Sequence, residues 1–147
     1  MKKIIILILI LILGQQIFAQ EYPIKNDLKS NSQNTMAYEI LEEVEMGISK
    51  TKLSTISPHL FSQIYLSFLN GVSGYYSANQ AYYVLENFIN EYKVISFKFD
   101  SFNFNTITPF AKGTYYYEHK GNRSEAKVYL TMKLTSKSWE ITQISIN

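Results

Sequence analysis

The stretch "EAKVYLTMKL", Glu125–Leu134, alternates without a fault. Ala126, Val128, Leu130, Met132 and Leu134 fall on one side; Glu125, Lys127, Tyr129, Thr131 and Lys133 fall on the other. Side chains of a strand point alternately to its two faces, so this pattern predicts a strand with one oily face and one wet face. The flanking sequence supplies its neighbours. Upstream, Ala111, Gly113, Tyr115 and Tyr117 form an inward row, with Lys112, Thr114, Tyr116 and Glu118 opposite, and His119-Lys120-Gly121-Asn122 reads as the hairpin turn between the two strands. Downstream, Thr135–Ser138 turns the chain and Trp139–Ile146 closes it. Further upstream, Ile95, Phe97 and Phe99 share one face, after which Phe102 and Phe104 take the other parity. One extra residue at Asp100-Ser101 would produce that slip, which predicts a bulge and a bent strand there. A second slip falls between Ile141 and Ile144. Tight turns make these four strands antiparallel neighbours.

The first half of the chain is helical in period. Ala37, Ile40, Leu41, Val44 and Ile48 predict a helix over Thr35–Ile48, with Glu39, Glu42, Glu43 and Glu45 as a solvated face. A short second helix is expected over Ser49–Ile56, ended by Pro58, and a strand over His59–Leu69 with Leu60, Ile64, Leu66 and Phe68 inward. Asn70–Gly74 reads as a loop. Ser77-Ala78-Asn79-Gln80 is a capping box, and Ala81, Val84, Leu85, Phe88 and Tyr92 carry a third helix to near Glu91. Tyr83 is expected to pack partly and Tyr82 to be more exposed. Two readings stand for the pairs Tyr75-Tyr76 and Tyr82-Tyr83: packing wall, or the rim of a binding site. Helices followed by a run of strands make an α+β order. Three helices cannot cover both faces of a sheet, so they belong on one, inside a bent sheet that makes a cone with an apolar interior.

The ends of the chain speak to location. Lys2 and Lys3 precede an unbroken Ile/Leu run from Ile4 to Leu13, and Ala19 offers a small residue for cleavage, the order of a secretory signal peptide over residues 1–19. The apolar run is about ten residues where a spanning helix needs about 20, so a retained anchor is the second reading. Residues 20–34 have no apolar period and read as a mobile tail, which leaves 35–147 as one domain. The expected location is periplasmic or extracellular, with no membrane attachment after cleavage. The chain has no cysteine, so it makes no disulfides and carries no thiol chemistry. It has 14 Lys+Arg and 12 Asp+Glu; loss of Lys2 and Lys3 with the leader brings the formal charge to zero. A neutral domain has no electrostatic case for nucleic acid. Near-zero charge mildly favours self-association.

Chemical motifs are sparse. His59 and His119 are the two histidines, far apart and without a ligand pattern for a metal. His59, at a strand start, and Asp100, which a bulge could re-aim, are the weak candidates for a general base; the alternative for each is a solvated surface residue. Gly71 and Gly74 lack the lysine and spacing of a phosphate loop, and no Gly-x-Ser-x-Gly elbow occurs. Arg123 is the only arginine and lies beside a turn. No cofactor and no metal are expected.

The order of elements resembles the nuclear transport factor 2-like superfamily. More narrowly, residues Gly47 to Ile146 resemble a family of small exported bacterial proteins known only as domain of unknown function 4783, through "YYSANQAYYVLENF", "FAKGTYYY" with its Gly113, and "SWEITQISIN". These are packing and turn motifs. The resemblance implies a cone built by a curved antiparallel sheet on about three N-terminal helices, and it implies no substrate or catalytic residue, since the superfamily holds isomerases, dehydratases, carriers and dimerising modules. The leading expectation is a non-catalytic module. It would take a small apolar ligand in a pocket of Tyr65, Phe88, Phe97, Tyr115 and Met132, or a second copy of itself through Tyr116, Tyr129 and Thr131 on the open sheet face. The alternatives are an isomerase- or dehydratase-type enzyme using Asp100 or His59, and an envelope component whose own side chains fill the cone.

Overall fold

A computed structural model describes residues 22–136 and 138–147. The expected leader, residues 1–19, lies outside them. In chain order the elements are α1 (Tyr22–Ser49), two 3-10 turns (Leu53–Thr55 and Ser57–His59), β1 (Leu60–Phe68), β2 (Ser73–Ser77), α2 (Ala78–Glu91), β3 (Lys93–Asn103), β4 (Phe110–His119), β5 (Asn122–Leu134) and β6 (Trp139–Ile146). The chain divides after Thr35 into two units. The described part of the first, residues 22–35, is helical. The second, Met36–Asn147, holds everything that follows. No described helix is long and apolar enough to cross a membrane.

The six strands form one curved, open sheet in the order β2-β1-β6-β5-β4-β3. The four late strands are antiparallel neighbours, as their turns require. Lys120 and Gly121 both have positive φ, 51° and 79°, the two-residue geometry whose twist suits a hairpin. The sheet is not wholly antiparallel, however. β1 runs parallel to β6, and β2 pairs antiparallel with the far side of β1. A parallel partner comes from a distant part of the chain, and nothing in local alternation announces it.

Both slips of phase are bulges. The register jumps between Phe99 and Ser101 opposite Gly113 and Lys112, leaving Asp100 as the extra residue. It jumps again where Thr131 pairs Gln143 and Met132 pairs Ile141, leaving Thr142 as the extra residue. A Cβ on Gly113 would lie 2.3 Å from the Lys98 carbonyl oxygen, so only glycine lets the bulged strand approach. A third shift, between Val94 and Ser96, was not visible in the sequence. It throws Ile95 out to 50% exposure, against the inward place that alternation predicts. Leu134, at the strand end, is likewise exposed where alternation puts it inside.

The inner rows of the sheet meet the apolar stripes of α1 and α2 in a single core. Ala37, Ile40, Leu41, Val44 and Ile48 are buried, as their spacing predicts. α2 opens with the expected box: the Gln80 amide donates to Ser77 Oγ, and Gln80 Oε1 accepts from the Ser77 amide. Its buried residues are Ala81, Leu85, Phe88 and Ile89.

Several local expectations need correction. The first helix, expected from Thr35, begins at Tyr22, with Pro23 in its first turn, where proline is tolerated. The short second helix is two 3-10 turns, with Leu53 and Ile56 buried, and Pro58 sits at the start of the second instead of ending the first. The loop before α2 contains strand β2, so Tyr75 and Tyr76 belong to a hairpin with β1. Tyr82 is half-buried and donates to Glu86 Oε1 at 3.3 Å, while Tyr83 is 62% exposed, the reverse of the expected split. The acidic face of α1 is only partly solvated. Glu45 accepts the Phe99 amide at 2.5 Å, and Ser49 Oγ donates to the Phe97 carbonyl. Both groups belong to β3, an edge strand, whose unpaired backbone α1 therefore covers.

Candidate functional site

The inner face brings four of the five expected pocket residues into one core. Phe88 and Tyr115 have no exposed surface, Met132 is 2% exposed and Phe97 6%. The Phe88 ring lies 4.8 Å from that of Tyr92, 4.6 Å from Phe68 and 6.0 Å from Tyr115; Phe97 lies 6.4 Å from Tyr115. Rings this close touch one another, so these residues act as packing in the state described. The Tyr115 hydroxyl donates to the Tyr92 carbonyl, and burial pushes its pKa well above the ordinary range for a phenol. It ties the end of α2 to the sheet, with its proton committed to that bond.

Tyr65 does not join them. Ile64 and Leu66 on either side have no exposed surface, so Tyr65 takes the opposite parity and faces outward. Its hydroxyl shares a hydrogen bond with Ser73 Oγ at 3.0 Å.

The two candidate bases also lie away from the interior. Asp100 is exposed, and its carboxylate accepts from Thr114 Oγ1 at 3.0 Å on the outer face. It follows inward Phe99 and so keeps the outward parity, beside Lys127, whose ammonium donates to the same Thr114 hydroxyl at 3.3 Å. His59 Nε2 lies 2.5 Å from the Glu43 carboxylate, joining a 3-10 turn to α1. His119 stacks on Tyr92 at 4.3 Å near the hairpin end. Asp100 and His59 find their partners away from Tyr115, and His119, though it stacks on the Tyr92 ring, donates through Nδ1 to the Glu91 carbonyl at 3.2 Å and not to a tyrosine hydroxyl. An acid or base in hydrogen-bond reach of a tyrosine hydroxyl inside the cone, which an isomerase-type site needs, is therefore not formed by them.

The outer face is where polar chemistry and open surface coincide. Its charged half centres on Glu125, which takes a hydrogen bond from Lys127 at 3.1 Å that holds its carboxyl below the usual range. There Ile95, Ser96, Tyr116, Arg123, Ser124 and Glu125 line a groove of about 440 Å³. A second groove, of about 470 Å³, is lined by residues of β1, β2, β5 and β6, Tyr65 and Tyr75 among them. A third, of about 410 Å³, lies between the 3-10 turns and α2, and Tyr82 and Tyr83 form part of its rim. Each is within the size range of small-molecule clefts.

Of the residues expected to form a self-contact, Tyr116 is 45% exposed and available. Tyr129 is half-buried, stacked 5.8 Å from Phe110, and Thr131 is buried and bonded to Thr142 Oγ1 at 2.8 Å. Ile95 was missed; Tyr75 was one of the rings with two readings, wall or rim, and only its place on a strand was not foreseen. For Tyr75 the signal was present: Asn70-Gly71, with Gly71 at φ 88°, is turn chemistry between two apolar segments.

Comparison with known proteins agrees with this architecture. A structure from Bacteroides uniformis, described as a DUF4783 family protein, matches with a TM-score of 0.64 at 18% identity, over 72% of this chain and 94% of that one. An NTF-2 like protein of unknown function from Shewanella oneidensis matches at 0.57 and 12% identity, over 77% and 97%. A hexachlorocyclohexane dehydrochlorinase matches at 0.68 and 9% identity, over 82% and 88%. Likeness at these identities establishes the shared cone fold, nuclear transport factor 2-like, and no activity. No curated protein matches the sequence. The profile of the family described as "Domain of unknown function (DUF4783)" matches residues 41–147, and the chain belongs to that family.

Proposed function

We propose that this chain is an exported, non-catalytic binding module whose working surface is the outer face of its sheet. The observation that carries this reading is the contrast between Tyr115 and Phe88, which have no exposed surface, and the two grooves on the opposite face. A small apolar ligand would need the inner rings to part, at the cost of their packing. Export is supported by the charged, apolar and small-residue order of residues 2–19. A second copy of the chain is a fitting protein partner for the charged half, where exposed Ile95 and Tyr116 lie beside Arg123 and Glu125, a patch carrying both signs of charge.

Native mass spectrometry of the purified chain tests the reading. The expected spectrum shows the protein mass with no retained small molecule. An apolar molecule that co-purifies, and is lost when Phe88 is replaced by Trp to overfill the core, would overturn it in favour of a cone pocket.

A further inference from the structure

The geometry points to a neutral-saccharide site in the groove of about 470 Å³ lined by Phe61, Gln63, Tyr65, Tyr75, Thr142 and Gln143. This rests on the outer face being the working surface.

The aromatic part comes from the β1–β2 hairpin. Tyr65 and Tyr75 are direct cross-strand partners, with ring centroids 5.1 Å apart and planes at 64°. That arrangement leaves Tyr75 70% exposed. A large ring that keeps this much surface open contributes little to the core, and its π face is electron-rich. The complementary ligand surface is a patch of C–H groups, such as one side of a pyranose ring.

The polar part comes from the bulge in β6. Ile141 and Ile144 are both buried, at 0% and 1% exposure. Under strict alternation the two residues between them would face opposite sides. With Thr142 as the extra residue, both Thr142 and Gln143 line the outer groove. Bulges recur where a side chain has to be re-aimed next to a site. Gln143 is held in place by donating to Ser145 Oγ at 2.9 Å, and Thr142 by its bond to Thr131. Gln63, exposed on the neighbouring strand, adds a second amide. Each amide offers a donor and an acceptor, and each hydroxyl can do either, which matches the paired donor and acceptor character of sugar hydroxyls.

The charge pattern narrows the ligand. None of the groove's lining residues is an Asp, Glu, His, Lys or Arg. Lys133, nearby, lays its ammonium 4.0 Å from the Phe61 ring centroid. An amine would find no anionic lining, and the cation at the rim, Lys133, is engaged with the Phe61 ring. An uncharged polyhydroxylated ligand loses nothing by this.

The test is a two-dimensional amide NMR titration of the full mature chain with maltohexaose, cellohexaose and xylohexaose, each to millimolar concentration. Saturable shifts are expected with at least one sugar, confined to β1, β2 and β6 around Tyr65, Tyr75 and Gln143. Tyr75→Ala should weaken that binding roughly tenfold, the loss of one ring contact. Because Tyr75 is so exposed, the variant's spectrum elsewhere should match the parent. Gln143→Ala gives a second check, with a smaller loss. No shift with any of the three sugars, or binding unchanged in Tyr75→Ala, overturns the saccharide assignment. Concentration-dependent shifts at Ile95 and Tyr116 in the same samples would then leave the outer-face reading standing. Shifts centred on Phe88, Tyr115 and Met132 would overturn that reading as well.

Discussion

The two faces of this one sheet use the same amino acids for opposite ends. Tyr115 on the inner face has no exposed surface and spends its hydroxyl on a backbone carbonyl. Tyr75 on the outer face is 70% exposed and packs on a single ring. A tyrosine count says nothing about which role a ring takes; parity along the strand and the position of bulges decide it. Inside, aromatic rings provide stability. Outside, they provide open surface, at little benefit to the fold. The contrast yields a graded series of substitutions.

The largest loss is expected at Phe88→Ala. The ring is fully buried among Phe68, Tyr92 and Tyr115, and the cavity left behind cannot collapse when its walls are other rings. Chemical denaturation should show a loss of about 3–5 kcal/mol. A loss under about 1 kcal/mol would mean the interior is loose enough to host a ligand. Close behind comes Gly113→Ala. The added methyl would meet the Lys98 carbonyl at 2.3 Å, and backbone cannot move aside as a side chain can. We expect about 3 kcal/mol, at the upper end for overpacking. Tolerance at this position would show that the Asp100 bulge is not held in the register described.

A smaller effect sharpens the inner-face argument through pH. Burial raises the Tyr115 pKa above its ordinary value of about 10, so the fold favours the neutral phenol. The folded state then holds a proton that the unfolded state releases. The stabilisation is complete below about pH 10 and is lost as pH climbs from there through the folded pKa. Tyr115→Phe should cost about 1 kcal/mol at neutral pH, for the bond to the Tyr92 carbonyl. It should also flatten the decline in melting temperature above about pH 10. Equal alkaline slopes in the two proteins would place the hydroxyl in water.

Much of this was legible in the sequence because alternation reports burial directly. The inward rows of β4 and β5 up to Met132, the α2 capping box and both slips of phase, at Asp100 and before Ile144, could be read from the sequence. What could not be read was pairing at a distance. The parallel β1–β6 contact joins Leu66 to Ile144, nearly eighty positions apart, and leaves no local trace. The candidate site suffered from the same limit. The slip before Ile144 was visible, yet its consequence depends on Tyr65 and Tyr75 lying across from it, which only the sheet order supplies. Tyr65 was placed inside because it is a large ring near an apolar row, although its parity differs from that of Ile64 and Leu66. Composition won over period in that reading, and period was the better guide. Ile95 failed for the reverse reason: its parity was right, and an unseen register shift turned it outward.

The smallest expected effect is the one that separates the two faces most cleanly. Tyr75→Ala removes an aromatic side chain as large as the Tyr115 one, from a strand of only five residues at the sheet edge. If its ring were part of the wall, the loss would approach that of an interior ring. Its main ring contact is Tyr65, which keeps its own hydroxyl bond to Ser73, so little beyond one edge-to-face contact disappears. Thermal and chemical denaturation should therefore register a change within about 0.5 kcal/mol, the usual span for surface positions. A loss of several times that size would make Tyr75 a structural ring, remove the reason for reading it as open binding surface, and erase the difference between the faces on which the outer-face assignment depends.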